Sequence, residues 1–241
     1  MAEAKPPVGH HYKGERGAEY FAWQKQGAEL GAELELHKFE SHITPDSTVV
    51  DFGCGTGYLL GLLAAREAVG IEPNDVARAD AAERGLRVVA SASELPEGFA
   101  DVVISNHALE HTLRPLDELE AIHRLIKPGG KLVVWLPIDD WRTQRKPDPA
   151  DVNHHLYTWT PLLLSNLLDE AGFDVVESRV VAYAWPQLHD RLYRLLPRRL
   201  FDAACVLWSI QRRRRQVMAV ARPRAAADQA GSDELRAGMN A

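Results

Sequence analysis

The 241-residue chain has only two cysteines, Cys54 and Cys205, and they lie far apart, without the paired spacing of a zinc site or a disulfide framework. We therefore expect reduced thiols and no structural zinc, as is usual in the cytoplasm. No N-terminal stretch combines a basic end, an apolar core and a small-residue cleavage site, so a secretory signal is not predicted. The longest apolar run near the C-terminus, at 200–210, is interrupted by Asp202 and is too short to cross a bilayer. These absences predict a cytoplasmic protein.

The chain also lacks an excess of positive charge. Its formal net charge is -6 and its isoelectric point is near 5.9. A general nucleic-acid coat protein would be basic, so no nucleic-acid partner is expected. No internal repeat is visible, and the length suits one α/β domain with a sizeable core.

Short apolar runs alternate with helical patterns along most of the chain. Five of the runs are predicted to be buried strands, at 48–52, 68–72, 86–90, 100–105 and 131–136. Helices are predicted between them, at 58–66, 75–84 and 115–125. After a polar loop at 137–157, we predict a helix, a strand, a basic helical segment and a last strand, at 160–171, 173–183, 187–215 and 216–221. The alternation predicts a mostly parallel, Rossmann-like α/β sheet with helices on both faces.

A glycine-rich turn follows the first predicted strand, with the sequence VVDFGCGTGY at 49–58. A buried strand that leads into such a turn and then a helix brings bare backbone against a ligand, because a missing Cβ permits close approach. The spacing is GxGxG, which differs from the GxGxxG of dinucleotide enzymes. Glu72 ends the next strand, where its carboxylate can accept hydrogen bonds from ribose hydroxyls. The agreement of strand, spacing and acid favours a ligand site over a structural turn and a solvated strand end.

Residues 47–136 resemble the class I methyltransferases that use S-adenosylmethionine, especially the broad type 11 group of small-molecule enzymes. Four segments carry the resemblance in family order: VVDFGCGTG, VGIEPN, SELPEGFADVVISNHALEH and LIKPGGKLVVWLP, at 49–57, 69–74, 93–111 and 125–137. The resemblance implies a seven-stranded sheet whose last strand is antiparallel, with S-adenosylmethionine at the C-terminal ends of the first strands. It is specific for cofactor and fold but does not name the substrate.

The resemblance implies that the loop after the first strand holds the methionine part of the cofactor and that the acid after the second strand holds the ribose. The cofactor contacts expected there are Asp51, Gly53, Cys54, Gly55, Gly57, Glu72 and Pro73. Members of the family often carry an Asp before the ELP turn, near the adenine amino group. Ser91 occupies that position here, so we expect Ser91 and the backbone of Ala92 and Ser93 to contact the adenine instead.

Polar residues after the fourth strand lie at the rim nearest the methyl group in related folds. Asn106 is expected either to line the cofactor or to hold a turn. His111 is a candidate base, although the Glu-His pair of this family more often orders the loop. His154 and His155 end the polar loop, on the substrate side in resembling enzymes, and they either act on the acceptor or pack against the next helix. No metal site is predicted, because no diagnostic ligand spacing joins these histidines to Asp139, Asp140 and Asp151.

The resemblance also suggests roles for the two ends of the chain. Related enzymes cover the cofactor with the N-terminal segment, so 1–44 is expected to form a helical lid that precedes the methyltransferase domain at 45–224 and a disordered tail at 225–241. Within the lid, the residues that either reach the methionine end or lie on a surface helix are Tyr12, Arg16 and Tyr20.

A basic amphipathic segment precedes the last predicted strand. Ten arginines lie between Leu188 and Arg224, against two aspartates, and leucines and Trp208 are interspersed. The segment at 188–215 is expected either to contact a membrane surface or lipid-linked acceptor, or to cover the sheet edge with solvated arginines. In the first case the protein would be peripheral at the inner membrane surface.

We therefore predict an S-adenosylmethionine-dependent methyltransferase that acts on a small molecule, with O-methylation of a glycan, glycolipid or secondary-metabolite-like acceptor as the leading hypothesis. A C- or O-methyltransferase of quinone or lipid biosynthesis is the alternative within the class. A nicotinamide-dependent oxidoreductase is disfavoured by the GxGxG spacing and by the absence of a Tyr-x-x-x-Lys pair. A non-catalytic S-adenosylmethionine-binding protein is the remaining hypothesis.

Overall fold

The structure, a computed structural model, describes residues 12–148 and 150–225 and centres on a seven-stranded sheet. The strands are β1 (Thr48–Phe52), β2 (Glu67–Ile71), β3 (Arg87–Val89), β4 (Ala100–Asn106), β5 (Ile126–Ile138), β6 (Phe173–Val181) and β7 (Arg215–Pro223). Their spatial order is β3-β2-β1-β4-β5-β7-β6. Strands β1 to β5 are parallel, and β7 is antiparallel to both of its neighbours. This is the predicted Rossmann-like sheet with an antiparallel last strand.

Eight α-helices occur in the described part of the chain. They are α1 (Gly14–Lys25), α2 (Ala28–Glu35), α3 (Tyr58–Leu62), α4 (Asp75–Glu83), α5 (Pro115–Leu125), α6 (Pro161–Glu170), α7 (His189–Leu195) and α8 (Arg198–Arg212). Prolines begin α5 and α6, where a missing N–H costs no hydrogen bond. The Thr160 hydroxyl also accepts a hydrogen bond from the Leu163 N–H at 3.2 Å and caps α6.

The core lies on both faces of the sheet because neighbouring strand residues point in opposite directions. Val50 and Val103 face one side, where α5 and α6 pack through residues such as Leu119. Val49 and Val102 face the other side, in a cluster with Phe39 and Trp135. All five residues of β1 are buried. The sheet therefore positions its carboxyl edge rigidly, and the candidate site lies at that edge.

Three predicted elements differ most clearly from the structure, while the ends of several others differ by one or two residues. The helix after the glycine turn ends at Leu62 and not at residue 66, because Leu63 is extended and leads the chain back to the start of β2. The fifth strand begins at Ile126 and continues through the Pro-Gly-Gly segment, although a turn was predicted there. The basic segment forms two helices rather than one, because Pro197 breaks it and the residue before a proline is driven to extended backbone.

The outermost predictions fall partly outside the described residues. Residues 1–11 of the predicted lid and 226–241 of the predicted tail lie there. Within residues 12–148 and 150–225, no helix combines the length and apolar character needed to cross a membrane.

Candidate functional site

The glycine turn leaves β1 at the carboxyl edge of the sheet. Gly53 has a φ of +78°, and a Cβ built on it would lie 2.3 Å from the Cβ of Ala108. Both the backbone conformation and the close approach therefore require glycine. The N–H groups of Gly53 and Cys54 donate to the carbonyl of Ile71, at 2.8 and 3.2 Å, which fastens the turn to the end of β2. Gly55 and Gly57 also have positive φ, so the predicted loop residues form one bare-backbone turn.

Cys54 contributes to this turn only through its backbone. The thiol is buried, and its sulfur fills the space beside Gly70, where a Cβ would come within 2.4 Å of Sγ. Burial raises the pKa of the thiol well above its ordinary value. The side chain therefore packs against β2.

Two buried carboxylates lie at the carboxyl ends of the first two strands, Asp51 within β1 and Glu72 just after β2. Glu72 is 8% exposed, and its oxygens accept hydrogen bonds from the N–H groups of Gly55 and Asn74, at 2.8 and 2.9 Å. Burial raises the pKa of Glu72, and these two bonds oppose the rise. Asp51 is 2% exposed, and burial, followed by the charge of Glu72, raises its pKa to about 7. The two acids lie beside the bare turn, while Pro73 between Glu72 and Asn74 is exposed.

Helix α1 covers the glycine turn. A Cβ at Gly55 would lie 2.8 Å from the side-chain nitrogen of Gln24, so this glutamine lies against the turn. Asn74 donates from its side chain to the carbonyl of Gly17 at 2.8 Å while capping α4, and Lys25 pairs with Asp80 at 2.5 Å. These contacts of Gln24 and Asn74 have no signal in the sequence, because they depend on how α1 packs.

Two of the three N-terminal candidates reach the rim of the site. The rings of Tyr12 and Tyr20 are 4.8 Å apart, and the Tyr12 hydroxyl lies 2.6 Å from Nδ1 of His111. Burial raises the pKa of Tyr20, and the charges of Glu72 and Glu110 raise it further. Tyr20 is therefore near both acids. Arg16 is exposed on α1.

The loop after β3 is held by its own hydrogen bonds. The hydroxyl of Ser91 accepts from the Ser93 N–H at 3.3 Å, and Glu94 accepts from the N–H groups of Ala90 and Ser91 at 2.9 and 3.1 Å. This capping box opens a short 3-10 turn in which Ala92 is buried and both serines are exposed. The predicted adenine contacts thus lie on a pre-formed turn next to the end of β2.

A histidine cluster, defined as Glu110, His111 and His155, lies just past β4. The two imidazole rings are 4.9 Å apart, and Glu110 is completely buried. Burial raises the pKa of Glu110 to about 8. Nδ1 of His155 bonds to Asp139 at 2.9 Å; burial lowers the pKa of His155, but the bond and charge of Asp139 outweigh it and leave the pKa raised. The predicted His111 and His155 therefore meet, whereas His154 is exposed with a φ of +49°.

A buried polar network lies beside the cluster, and Asn106, a predicted cofactor contact, is one of its members. Lys38 forms an ion pair with Glu35 and donates to the side-chain oxygens of Gln216 and Asn106, at 2.7 and 3.1 Å. Asn106 in turn donates to Glu35 at 3.1 Å, and His107 lies 3.0 Å from the same Gln216 oxygen. The side chain of Asn106, a predicted cofactor contact, is thus engaged by protein groups.

The fold and this edge of the sheet define a class I methyltransferase. Residues 19–178 match the model of a methyltransferase domain family, and the chain belongs to that family. It is therefore placed with the transferases that use S-adenosylmethionine as their cofactor, which confirms the predicted class and cofactor over the nicotinamide-dependent oxidoreductase.

Curated relatives are similar over part of their length. The ubiquinone biosynthesis O-methyltransferase of Aeromonas salmonicida is 35% identical over 159 residues, which are 56% of this chain and 66% of that protein. The enzyme of the same name from Stutzerimonas stutzeri is 35% identical over 113 residues, which are 41% of this chain and 48% of that protein. The chain thus spans about half of the curated relatives that it matches. Their names agree with the quinone alternative and not with the glycan hypothesis.

Solved structures share the fold. A methyltransferase from Archaeoglobus fulgidus, described as dependent on S-adenosylmethionine, has a TM-score of 0.60 at 18% identity, covering 84% of this chain and 98% of that one. A phosphoethanolamine N-methyltransferase of Haemonchus contortus, solved with S-adenosylhomocysteine, has a TM-score of 0.56 at 14% identity, covering 85% and 59%. At these identities the likeness shows the fold alone.

Proposed function

We propose that the protein transfers a methyl group to a phenolic oxygen of a quinone-type precursor. The observation that carries the proposal is the aromatic rim, where Tyr12, Tyr20, His111 and His155 surround a buried acid next to the glycine turn. Aromatic side chains favour contact with the flat ring of an acceptor, and the histidines offer nitrogens to its hydroxyl group. The names of the curated relatives support the same acceptor class.

The residues at the carboxyl edge fit the cofactor. The turn carries no side chain at Gly53 or Gly55, so its backbone can approach a ligand closely. Gln24 lies against the turn at Gly55, where a Cβ would lie 2.8 Å from its side-chain nitrogen. Each oxygen of Glu72 accepts one backbone N–H, which leaves further lone pairs for ribose hydroxyls. We assign the methionine part to the glycine turn with Asp51, the ribose to Glu72, and the adenine to the turn at 91–93.

The chain's own residues then align and shield the reaction. S-adenosylmethionine supplies a methyl group already activated on a sulfonium, so the protein mainly positions the acceptor and excludes water. Helix α1 covers the turn through Gln24 and closes the site through Tyr12 and Tyr20. The acceptor's proton must also leave, and we assign its removal to the histidine cluster, which lies at the rim nearest the glycine turn. His154 is given no role.

The experiment is a panel of acceptors assayed for S-adenosylhomocysteine production by mass spectrometry. Phenols with two adjacent hydroxyls and an apolar chain should be turned over, and matched sugars should not. If sugars are methylated and phenols are not, the acceptor proposal is wrong although the class stands. A His155→Gln variant should lose turnover while still binding S-adenosylhomocysteine.

We also propose that α7 and α8 place the protein against a membrane or lipid-linked acceptor. Leu195, Leu200 and Leu207 are 80%, 57% and 68% exposed, and Arg212 stacks 4.6 Å over Trp208 beside them. Apolar side chains interspersed with arginines suit an anionic lipid surface. Wild-type protein should sediment with anionic liposomes, and Leu207→Gln should weaken this.

The control for that experiment is Leu162→Gln, because Leu162 is also 68% exposed but lies on α6. It should leave sedimentation unchanged. If both variants and the wild type sediment equally, or if none of them sediments, the proposed membrane contact is wrong.

A further inference from the structure

Glu110 is buried without the partners that a carboxylate needs. Its side chain is completely buried, and neither of its oxygens has a hydrogen-bond partner in the described part of the chain. An unpaired carboxylate away from water is costly, so a native protein keeps one only where a proton or a cation satisfies it. The backbone carbonyl of Glu110 accepts from the Leu156 N–H at 2.8 Å, which holds the polar loop and its His155 against this acid.

We propose that Glu110, His111 and His155 bind one divalent transition-metal cation, such as Zn²⁺. One candidate ligand atom from each residue lies within 4.8 Å of the other two. Nε2 of His111 is 3.9 Å from Oε1 of Glu110. Two imidazoles and a carboxylate form a ligand set of catalytic zinc and of other transition metals, and a small contraction of side chains brings them to coordination distance.

The hydrogen bonds behind the histidines orient them as metal ligands. Nδ1–H of His155 donates to Asp139 at 2.9 Å, which leaves Nε2 as its ligand atom. The Tyr12 hydroxyl donates its hydrogen to the carbonyl of Asn153 at 2.8 Å, so its oxygen accepts from Nδ1–H of His111 at 2.6 Å. That tautomer gives His111 a lone pair on Nε2, the nitrogen nearer Glu110. Metal-bound histidines are usually held in this way from behind.

A fourth residue, His107, also faces Glu110. Lys38 donates to the side-chain oxygen of Gln216, which fixes that atom as an acceptor, so Nε2–H of His107 donates to it. Nδ1 of His107 therefore carries a lone pair, and it lies 3.5 Å from Oε1 of Glu110. A proton on Glu110 would satisfy the contact with His107 but would not be shared with His111 and His155. A cation satisfies the carboxylate and the imidazole lone pairs of His111 and His155 together.

The position gives the cation a role that rests on the proposed function. The cluster lies at the carboxyl end of β4, where the acceptor's oxygen is expected, and a three-residue site leaves coordination positions open. A bound cation would favour the ionised form of a hydroxyl group, so the cluster would promote loss of the acceptor's proton through the cation and not through a free histidine nitrogen. Two adjacent oxygens would occupy two open positions, which selects acceptors with neighbouring hydroxyl groups.

The test uses the untagged full chain, freed of metal with a chelator and then dialysed. Calorimetric titration with ZnCl₂ should show one tight site, and Co²⁺ should give the visible absorption of nitrogen and oxygen coordination. Glu110→Gln and His155→Gln should each weaken Zn²⁺ binding at least tenfold. The matched control is His123→Gln, a half-buried histidine on α5 outside the cluster, and it should leave binding unchanged.

Folding of each variant is checked by titration with S-adenosylhomocysteine. If a ligand variant fails to fold, Asp139→Asn keeps all three ligands and should still weaken Zn²⁺ binding about tenfold. Absence of a Zn²⁺ site in the wild type, or equal binding in the wild type and all folded cluster variants, overturns the proposal. Zn²⁺ binding that depends on the cluster, in a protein that methylates no phenol, would instead support the site and reject the proposed acceptor.

Discussion

Replacing Glu72 by Gln is the sharpest perturbation of the proposed cofactor site. The change keeps the shape of the side chain but turns one acceptor oxygen into an amide nitrogen. The two oxygens now accept from Gly55 and Asn74, at 2.8 and 2.9 Å, in a setting that is 8% exposed. An amide nitrogen cannot accept from either N–H, so one buried donor loses its partner.

The substitution should affect both the free energy of unfolding and the affinity for S-adenosylhomocysteine. The unpaired donor should lower the free energy of unfolding by about 1–3 kcal/mol, partly offset because repulsion between Glu72 and Asp51 disappears. The loss of one charge-assisted hydrogen bond to ribose should weaken binding by about 1.5–3 kcal/mol. The Kd for S-adenosylhomocysteine should therefore rise about 10- to 150-fold.

Isothermal titration calorimetry of folded protein with S-adenosylhomocysteine measures the change in Kd directly. Glu67→Gln is the matched control, because Glu67 begins the same strand at its opposite end and is paired with Arg87 at the surface. The control should bind like the wild type. An unchanged Kd in Glu72→Gln, with the protein shown to be folded, would refute the ribose assignment.

Three further predictions concern the same edge of the sheet. Gly53→Ala should lower the free energy of unfolding by about 2–4 kcal/mol in urea titrations, because φ is +78° and the new methyl meets Ala108; a wild-type midpoint would contradict the geometry. The folded-state pKa of Asp51, about 7, exceeds its ordinary value of 3.8, so its contribution to stability is lost as pH rises between these values. Between pH 5 and 8 this loss is about 2–3 kcal/mol, and Asp51→Asn should flatten the profile; parallel profiles would disprove the shift. S-adenosylhomocysteine should slow amide exchange over residues 12–25, and unchanged exchange there would show that α1 is not a lid.

The ends of the central strands could be predicted because short apolar runs in the sequence indicate buried strands. Since carboxyl ends of parallel strands meet at one edge, the turn after β1 and the acid after β2 were bound to be neighbours. Glu72 and the glycines therefore followed from local pattern. His111 and His155 are both predicted site residues, but their contact is not predicted, because they lie 44 positions apart in the sequence with a helix, a strand and a loop between them.

Other features depend on packing that no local pattern carries. Lys38 and Gln216 are hydrogen-bonded across most of the chain, and each looks like an ordinary surface residue in the sequence. The helix α3 ends at Leu62 although the following alanines favour helix, because the start of β2 must be reached. The break at Pro197 had a local signal, since proline disfavours helix at the preceding residue.

The central claim is that a phenolic oxygen receives the methyl group, and the site of transfer can be measured directly. Wild-type protein is incubated with S-adenosylmethionine carrying a ¹³C-labelled methyl group and a phenol with two adjacent hydroxyls and an apolar chain. The product is then examined by carbon NMR. The account predicts one labelled methyl resonance in the methoxy region, with an equal amount of S-adenosylhomocysteine. A labelled methyl on ring carbon, or no labelled phenol from a protein that binds S-adenosylhomocysteine, would contradict it.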